Sequence, residues 1–191
     1  MLVPLSACDG GPGAPGSSTP QGQQQTGDDQ SLTPTQYGPI SAADIKLMTI
    51  VRQTSLREIT VSQWALQRSA NQFVKQAAQT IIDQHVQLQA HDLQIAQMMN
   101  IKLPDQPAPD MQVGIDRMRN ETGTTFDDDY TNTLRQGHAE AFILIGKVRA
   151  DTRNTLVRSF AEQCGEFVKT HMQVLESTGD VNFEKLPVPA A

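Results

Sequence analysis

Residues 41–178 predict an all-α fold of four long helices packed as a bundle, carried behind an N-terminal tail. Two observations predict it. Long segments repeat apolar residues at spacings of three and four, the signature of one helical face. Aromatic residues make up only 5% of the chain, low for a sheet sandwich and sufficient for helices packed on Ala, Ile, Leu, Val and Met. A third observation sets the connectivity: two short breaks and one long one separate the four segments, as in bundles with a crossover.

The first helix is expected from Asp44 to about Arg68, a stretch without Gly or Pro. Ser41 and Asp44 form a helix-start pair, with a hydroxyl three residues before an acid. Ile45, Met48, Val51, Ser55, Glu58, Ser62 and Ala65 fall on one stripe that is polar in its middle. The second helix is expected from about Asn71 to Met99, with Val74, Ala78, Ile81, His85, Leu88, Asp92, Ile95 and Met99 inward. Leu103-Pro104 and Pro107-Ala108-Pro109 stop it. The long connection after Asn100 leaves room for a short helix around Met111–Asn120, and Gly123 is read as a breaker. The third long helix is expected from about Thr125 to Ala150, with Phe126, Tyr130, Leu134, His138, Ala141, Ile145 and Val148 inward. Asp127, Asp128 and Asp129 read as an acidic first turn favoured by the helix dipole. The fourth is expected from about Asn154 to Thr178, with Val157, Phe160, Cys164, Phe167, His171 and Val174 inward; Gly179 ends it.

Ahead of the bundle, Met1–Cys8 reads as the remnant of a lipoprotein signal peptide. Leu5-Ser6-Ala7-Cys8 resembles a bacterial lipobox, in which Cys8 becomes the lipidated first residue. The charged start and longer apolar run of a full signal are missing from it. Residues 9–40, rich in Gly, Pro, Ser and Gln, are expected to be a disordered tether that cannot offset its ordering entropy. Residues 179–191 form a C-terminal tail. The expected location is the periplasm or cell envelope, with the membrane engaged through lipidated Cys8. The net charge of −6 argues against nucleic acid as a partner, and no run of apolar residues is long enough to span a bilayer. The protein partner is left open.

The candidate chemistry lies on the inward stripes. Glu58, His85, His138 and His171 supply one ligand-type residue from each long helix, the way bundles build metal sites. His91 is off-stripe and expected at the surface. Counted from the end near Ser69, Glu58 lies about eleven residues down and His85 about fifteen. With His171 included, the spread of levels is roughly 10 Å if the long connection crosses the bundle and roughly 13 Å if it does not, which favours a crossover by a small margin. The ion implied is a transition metal: iron, copper or zinc. Asp83 is the candidate partner that orients an imidazole. The alternative is a non-enzymatic structural or stress-related protein whose histidines form a core polar network. Copper held by Met98, Met99, Met111, Met118 and Met172 is a lesser reading, since Met is a common core filler. A nucleophile at Cys164 is weaker still, because a thiol on an apolar stripe tends to be inert. No catalytic residue is assigned, and a non-enzyme is the preferred reading.

Thr80-Ile81-Ile82-Asp83-Gln84-His85, Ile101-Lys102-Leu103-Pro104, Gly123-Thr124-Thr125-Phe126-Asp127-Asp128-Asp129-Tyr130, Gly137-His138-Ala139-Glu140 and His171 together resemble a family of exported bacterial proteins known only as a domain of unknown function. Members are often labelled outer membrane proteins. The resemblance covers about residues 42–178 and implies a ferritin-like four-helix bundle in the cell envelope. The chain departs from di-iron ferritins, because no glutamate is followed three residues later by histidine. Thr60 and Ser62 also stand where the family is expected to carry Glu and Gly. The resemblance therefore implies an architecture without a ferroxidase centre of the usual kind.

Overall fold

The computed structural model describes residues 31–186. Those residues are all-helical: α1 Ala42–Arg68, α2 Gln72–Met98, α3 Pro109–Met118, α4 Gly123–Asp151 and α5 Thr155–Glu176, with a 3-10 turn at Phe183–Lys185. The lipobox at Cys8 and most of the expected tether lie outside the described residues.

Three of the helices, α1, α2 and α5, begin where a side chain satisfies free backbone amides. Ser41 Oγ accepts from the Asp44 amide at 3.1 Å while Asp44 accepts from the Ser41 amide at 2.8 Å, closing the capping box read from the sequence. Asn71 caps α2 through the Phe73 amide at 2.9 Å. Asn154 caps α5 through Leu156 and Val157 at 3.1 and 3.2 Å. Asn100 at φ 54 ends α2, with the Ile101 amide returning to the Ala96 carbonyl at 2.8 Å. Pro109 opens α3, where its missing amide costs nothing.

The ends of the helices fix their directions. At one end, Arg68 donates to the carbonyls of Met118 and Arg119, Ser69 donates to Asp127 at 2.9 Å, and Asn71 donates to the Thr178 carbonyl at 3.2 Å. At the other end, Asn154 donates to Met99 Sδ at 3.4 Å and to the Gly38 carbonyl at 3.0 Å. The connection through α3 therefore runs the length of the molecule. α1 and α5 point one way, α2 and α4 the other, and α1/α2, α2/α5, α4/α5 and α1/α4 pack as neighbours. Two apolar clusters fill the interior. One, around Met48, Ile95 and Phe160, lies toward the Asn154 end; the other, around Ala78, Phe126 and Leu134, lies toward the Ser69 end.

Several expectations change. Residues 31–40 are not a tether: Thr33 and Ile40 exchange backbone hydrogen bonds at 2.9 Å, and the Tyr37 carbonyl accepts from the Thr155 amide at 2.9 Å. Ile40 is buried because the turn at Gly38 folds it onto the core. α3 does stop before Gly123, and Gly123 itself, at φ 60, is the first residue of α4, which starts two residues earlier than expected. Asp127–Asp129 consequently sit beyond the first turn: Asp127 is buried against Ser69, and Asp129 accepts from Arg117 at 2.6 Å. Ile45 is exposed, and Leu47 takes its inward place. His91 is half-buried, 2.6 Å from Gln163 Oε1 and edge-on to Phe160.

Candidate metal centre

Glu58, His85, His138 and His171 meet between the two apolar clusters, one from each of the four long helices, and all four are buried. One ligand atom from each can be chosen so that all lie within 4.8 Å of one another. His85 Nε2 is 2.9 Å from Glu58 Oε2, His138 Nε2 is 3.5 Å from the same oxygen, and His138 Nε2 is 2.8 Å from His171 Nδ1.

Hydrogen-bond accounting fixes the imidazole tautomers. Ser55 Oγ donates its single proton to the Val51 carbonyl at 2.8 Å, so toward His85 Nδ1, 3.0 Å away, it accepts. His138 Nδ1 faces the Leu134 carbonyl at 2.7 Å, which also accepts. Both rings therefore carry hydrogen on Nδ1. Their Nε2 atoms turn toward the Glu58 carboxylate, offering either a second proton or a lone pair. Hydrogen-bonding the outer nitrogen of an imidazole so that the inner one faces an ion is the usual support of a histidine ligand. Glu58 Oε1 is taken by Arg57 Nη2 at 2.9 Å, which leaves Oε2 facing the cluster.

The electrostatics are those of a buried, mutually dependent set. Burial alone raises the pKa of the Glu58 carboxyl, but His138, His85 and Arg57 outweigh it and hold the group well below the ordinary carboxylate range. Burial lowers His138, against the pull of Glu58. Burial, then His138 and His85, push His171 down to about 2. His171 Nε2 is buried with no hydrogen-bond partner among the described residues. A metal ion takes the glutamate as a carboxylate and imidazoles as lone-pair donors, and the lowering of Glu58, His138 and His171 favours those forms. A tetrahedral ion with bonds of ~2.0–2.1 Å separates its ligands by roughly 3.4 Å. The pairs at 2.8, 2.9 and 3.5 Å lie near that spacing and the whole set lies within 4.8 Å, so the residues fit such an ion once the side chains draw in around it.

Asp83 is not part of the site. It is exposed on the far face of α2 and accepts from Gln79 at 2.8 Å, since two residues turn an α-helix by about 200°, onto the side opposite His85. Ser55 and the Leu134 carbonyl hold the imidazoles instead. Ser55 sits on the same stripe one turn before Glu58, and that spacing was the available signal; a backbone carbonyl leaves none. Ser62 Oγ bonds Tyr130 Oη at 2.9 Å on the Ser69 side of the site. The methionines do not gather: Met118 belongs to one apolar cluster, Met99 packs on the other, and Met98 is exposed. Cys164 is buried, and burial together with Asp92 raises its thiol pKa far above the ordinary value, so it is no nucleophile partner for His171.

A cavity of about 400 Å³ opens between α1 and α4 and reaches Glu58 and the three histidines.

Fold and site together define an all-helical protein with an internal group of one glutamate and three histidines able to hold a metal ion. The chain belongs to the family described as a domain of unknown function (DUF4142), whose family model matches residues 29–177. The match starts within two residues of the first described one, which agrees with the ordered turn at 31–40. No curated protein and no solved structure matches the chain.

Proposed function

We propose that this protein is a metal-binding four-helix bundle of ferritin-like architecture, in which Glu58, His85, His138 and His171 hold one transition-metal ion. The observation that carries the reading is the pair of outer hydrogen bonds at Ser55 and Leu134, which aim two imidazole Nε2 atoms at one carboxylate. Three imidazoles and a carboxylate suit iron, copper or zinc. The antiparallel neighbours and the lengthwise connection between α2 and α4 support the ferritin-like topology.

The test is loading with each metal separately, removal of excess, and elemental mass spectrometry. One equivalent of a single metal, lost in His85→Ala and His138→Ala, supports the proposal. No stoichiometric metal in the wild-type protein rejects it. A second reading has its own support: His85–Glu58 and His138–His171 also link helices in pairs without an ion. In that case the substitutions lower thermal stability while chelators leave it unchanged.

We further propose that the bundle is exported and anchored in the cell envelope through lipidated Cys8, on the strength of Leu5-Ser6-Ala7-Cys8. Palmitate labelling in the native bacterium, abolished by Cys8→Ala, is the expected result; an unlabelled wild-type protein contradicts it.

A further inference from the structure

The cavity beside the metal centre has a polar end and an apolar body. Glu58, His85, His138 and His171 stand at the polar end, together with Arg57. Leu47, Val51, Leu88, Leu144, Ile145 and Val168 make the body. Its size falls in the range of small-molecule sites, and the combination of apolar wall with a few convergent polar groups is typical of them.

The polar end is short of negative charge. Arg57 reaches it because α4 carries glycine at 137: a side chain there would crowd the guanidinium, with its first carbon 3.2 Å from Nη2. Arg57 gives Nη2 to Glu58 Oε1, while its Nε is buried and donates to nothing among the described residues. A dication held by Glu58 and neutral imidazoles keeps one net positive charge, and Arg57 adds another. Asp110 and Glu140 line the cavity too, but both are exposed at its mouth, where water screens them. A buried cationic centre facing an apolar chamber favours an anion whose remaining bulk is hydrocarbon.

We infer that the cavity binds a monocarboxylate with an aliphatic chain, its head at the cationic end beside Arg57 and the metal centre and its chain among the leucine and valine side chains. The inference rests on the metal reading above. The carboxylate supplies the charge that Glu58 leaves uncompensated, and the chain displaces water from apolar walls.

The experiment is calorimetric titration of octanoate into the zinc-loaded full chain, with acetate and 1-octanol as controls. Octanoate is expected to bind one to one, at least tenfold tighter than either control. Acetate lacks the body and octanol lacks the charge. Ala141→Trp, which fills the cavity from α4, is expected to weaken octanoate at least tenfold while zinc content by elemental mass spectrometry stays at one equivalent. Leu144→Phe narrows the same chamber and gives the same reading where Ala141→Trp does not fold. Octanoate binding no tighter than acetate, or unchanged in a zinc-replete cavity variant, overturns the inference. Wild-type protein that holds no zinc, iron or copper overturns the metal reading, and this inference with it; a protein that holds metal but not octanoate overturns only the second.

Discussion

Ser55 Oγ and His85 Nδ1 stand 3.0 Å apart across the α1–α2 interface, and the hydroxyl proton goes to the Val51 carbonyl behind it. This relay decides which nitrogen of His85 faces Glu58. Ser55→Ala removes it without adding volume. Losing such an outer partner typically costs ~10–100-fold in metal affinity, and that weakening is expected here with the helical circular dichroism unchanged. Competition against a chromogenic chelator measures it; unaltered affinity contradicts the role given to Ser55.

Acid is expected to destabilise the metal-free protein earlier than its carboxylates alone require. His171 is held down to about 2 and His138 is also lowered, whereas an unfolded histidine titrates near 6.5. Below about pH 6.5 the unfolded chain therefore takes up protons that the folded chain refuses, and stability falls as pH falls. Glu58, held below its ordinary range, adds to the loss at more acid pH. By pH 5 the loss from His171 is about 2 kcal/mol, and His138 adds to it in the same direction. Urea unfolding at pH 7 and pH 5 reads it, and equal stability at the two pH values contradicts it.

Asp92 gives the opposite sign. It is buried beside the apolar cluster toward the Asn154 end, neither carboxylate oxygen has a hydrogen-bond partner among the described residues, and burial, only partly offset by Arg52, raises its pKa to about 8. Between about pH 4 and pH 8 the unfolded chain has released this proton and the folded chain keeps it, so the group withdraws stability as pH rises. Asp92→Asn removes that dependence. The variant's advantage over wild type is expected to grow from pH 5 to pH 8 by at most about 1.4 kcal/mol per unit and then level off. An advantage independent of pH argues that Asp92 is ionised in the folded state.

Gly38 holds residues 31–40 against α5. Its φ is 94, and a side chain there would run into the Arg153 carbonyl. Gly38→Ala is expected to cost ~1–3 kcal/mol, seen as a lower thermal midpoint, and to expose this segment to protease. Wild-type stability and protection in the variant contradict a structural role for the turn.

The inward stripes were legible because a 3.6-residue period records burial directly: Val74, Ala78, Ile81, His85, Leu88, Asp92 and Ile95 of α2 are all buried as expected. Glu58, His85, His138 and His171 were legible for the same reason, being polar residues at core positions. The crossover was legible only as arithmetic on helix depth, and the contact of Asn71 with Thr178 agrees with it. What stayed hidden depends on partners distant in sequence. Asp83 is near His85 along the chain but on the wrong face. Ser55, thirty residues away, is the true neighbour. The fold of residues 31–40 rests on backbone bonds to α5 and on one glycine with positive φ, neither of which composition records.

Whether one metal ion sits among these four side chains is read by X-ray absorption at the metal edge of the loaded protein. The expected ligand shell is nitrogen and oxygen at ~2.0–2.2 Å, with imidazole scattering that fits three histidines in the wild type and two in His171→Ala. A shell containing sulfur, or one without imidazole that is unchanged by His171→Ala, would contradict it.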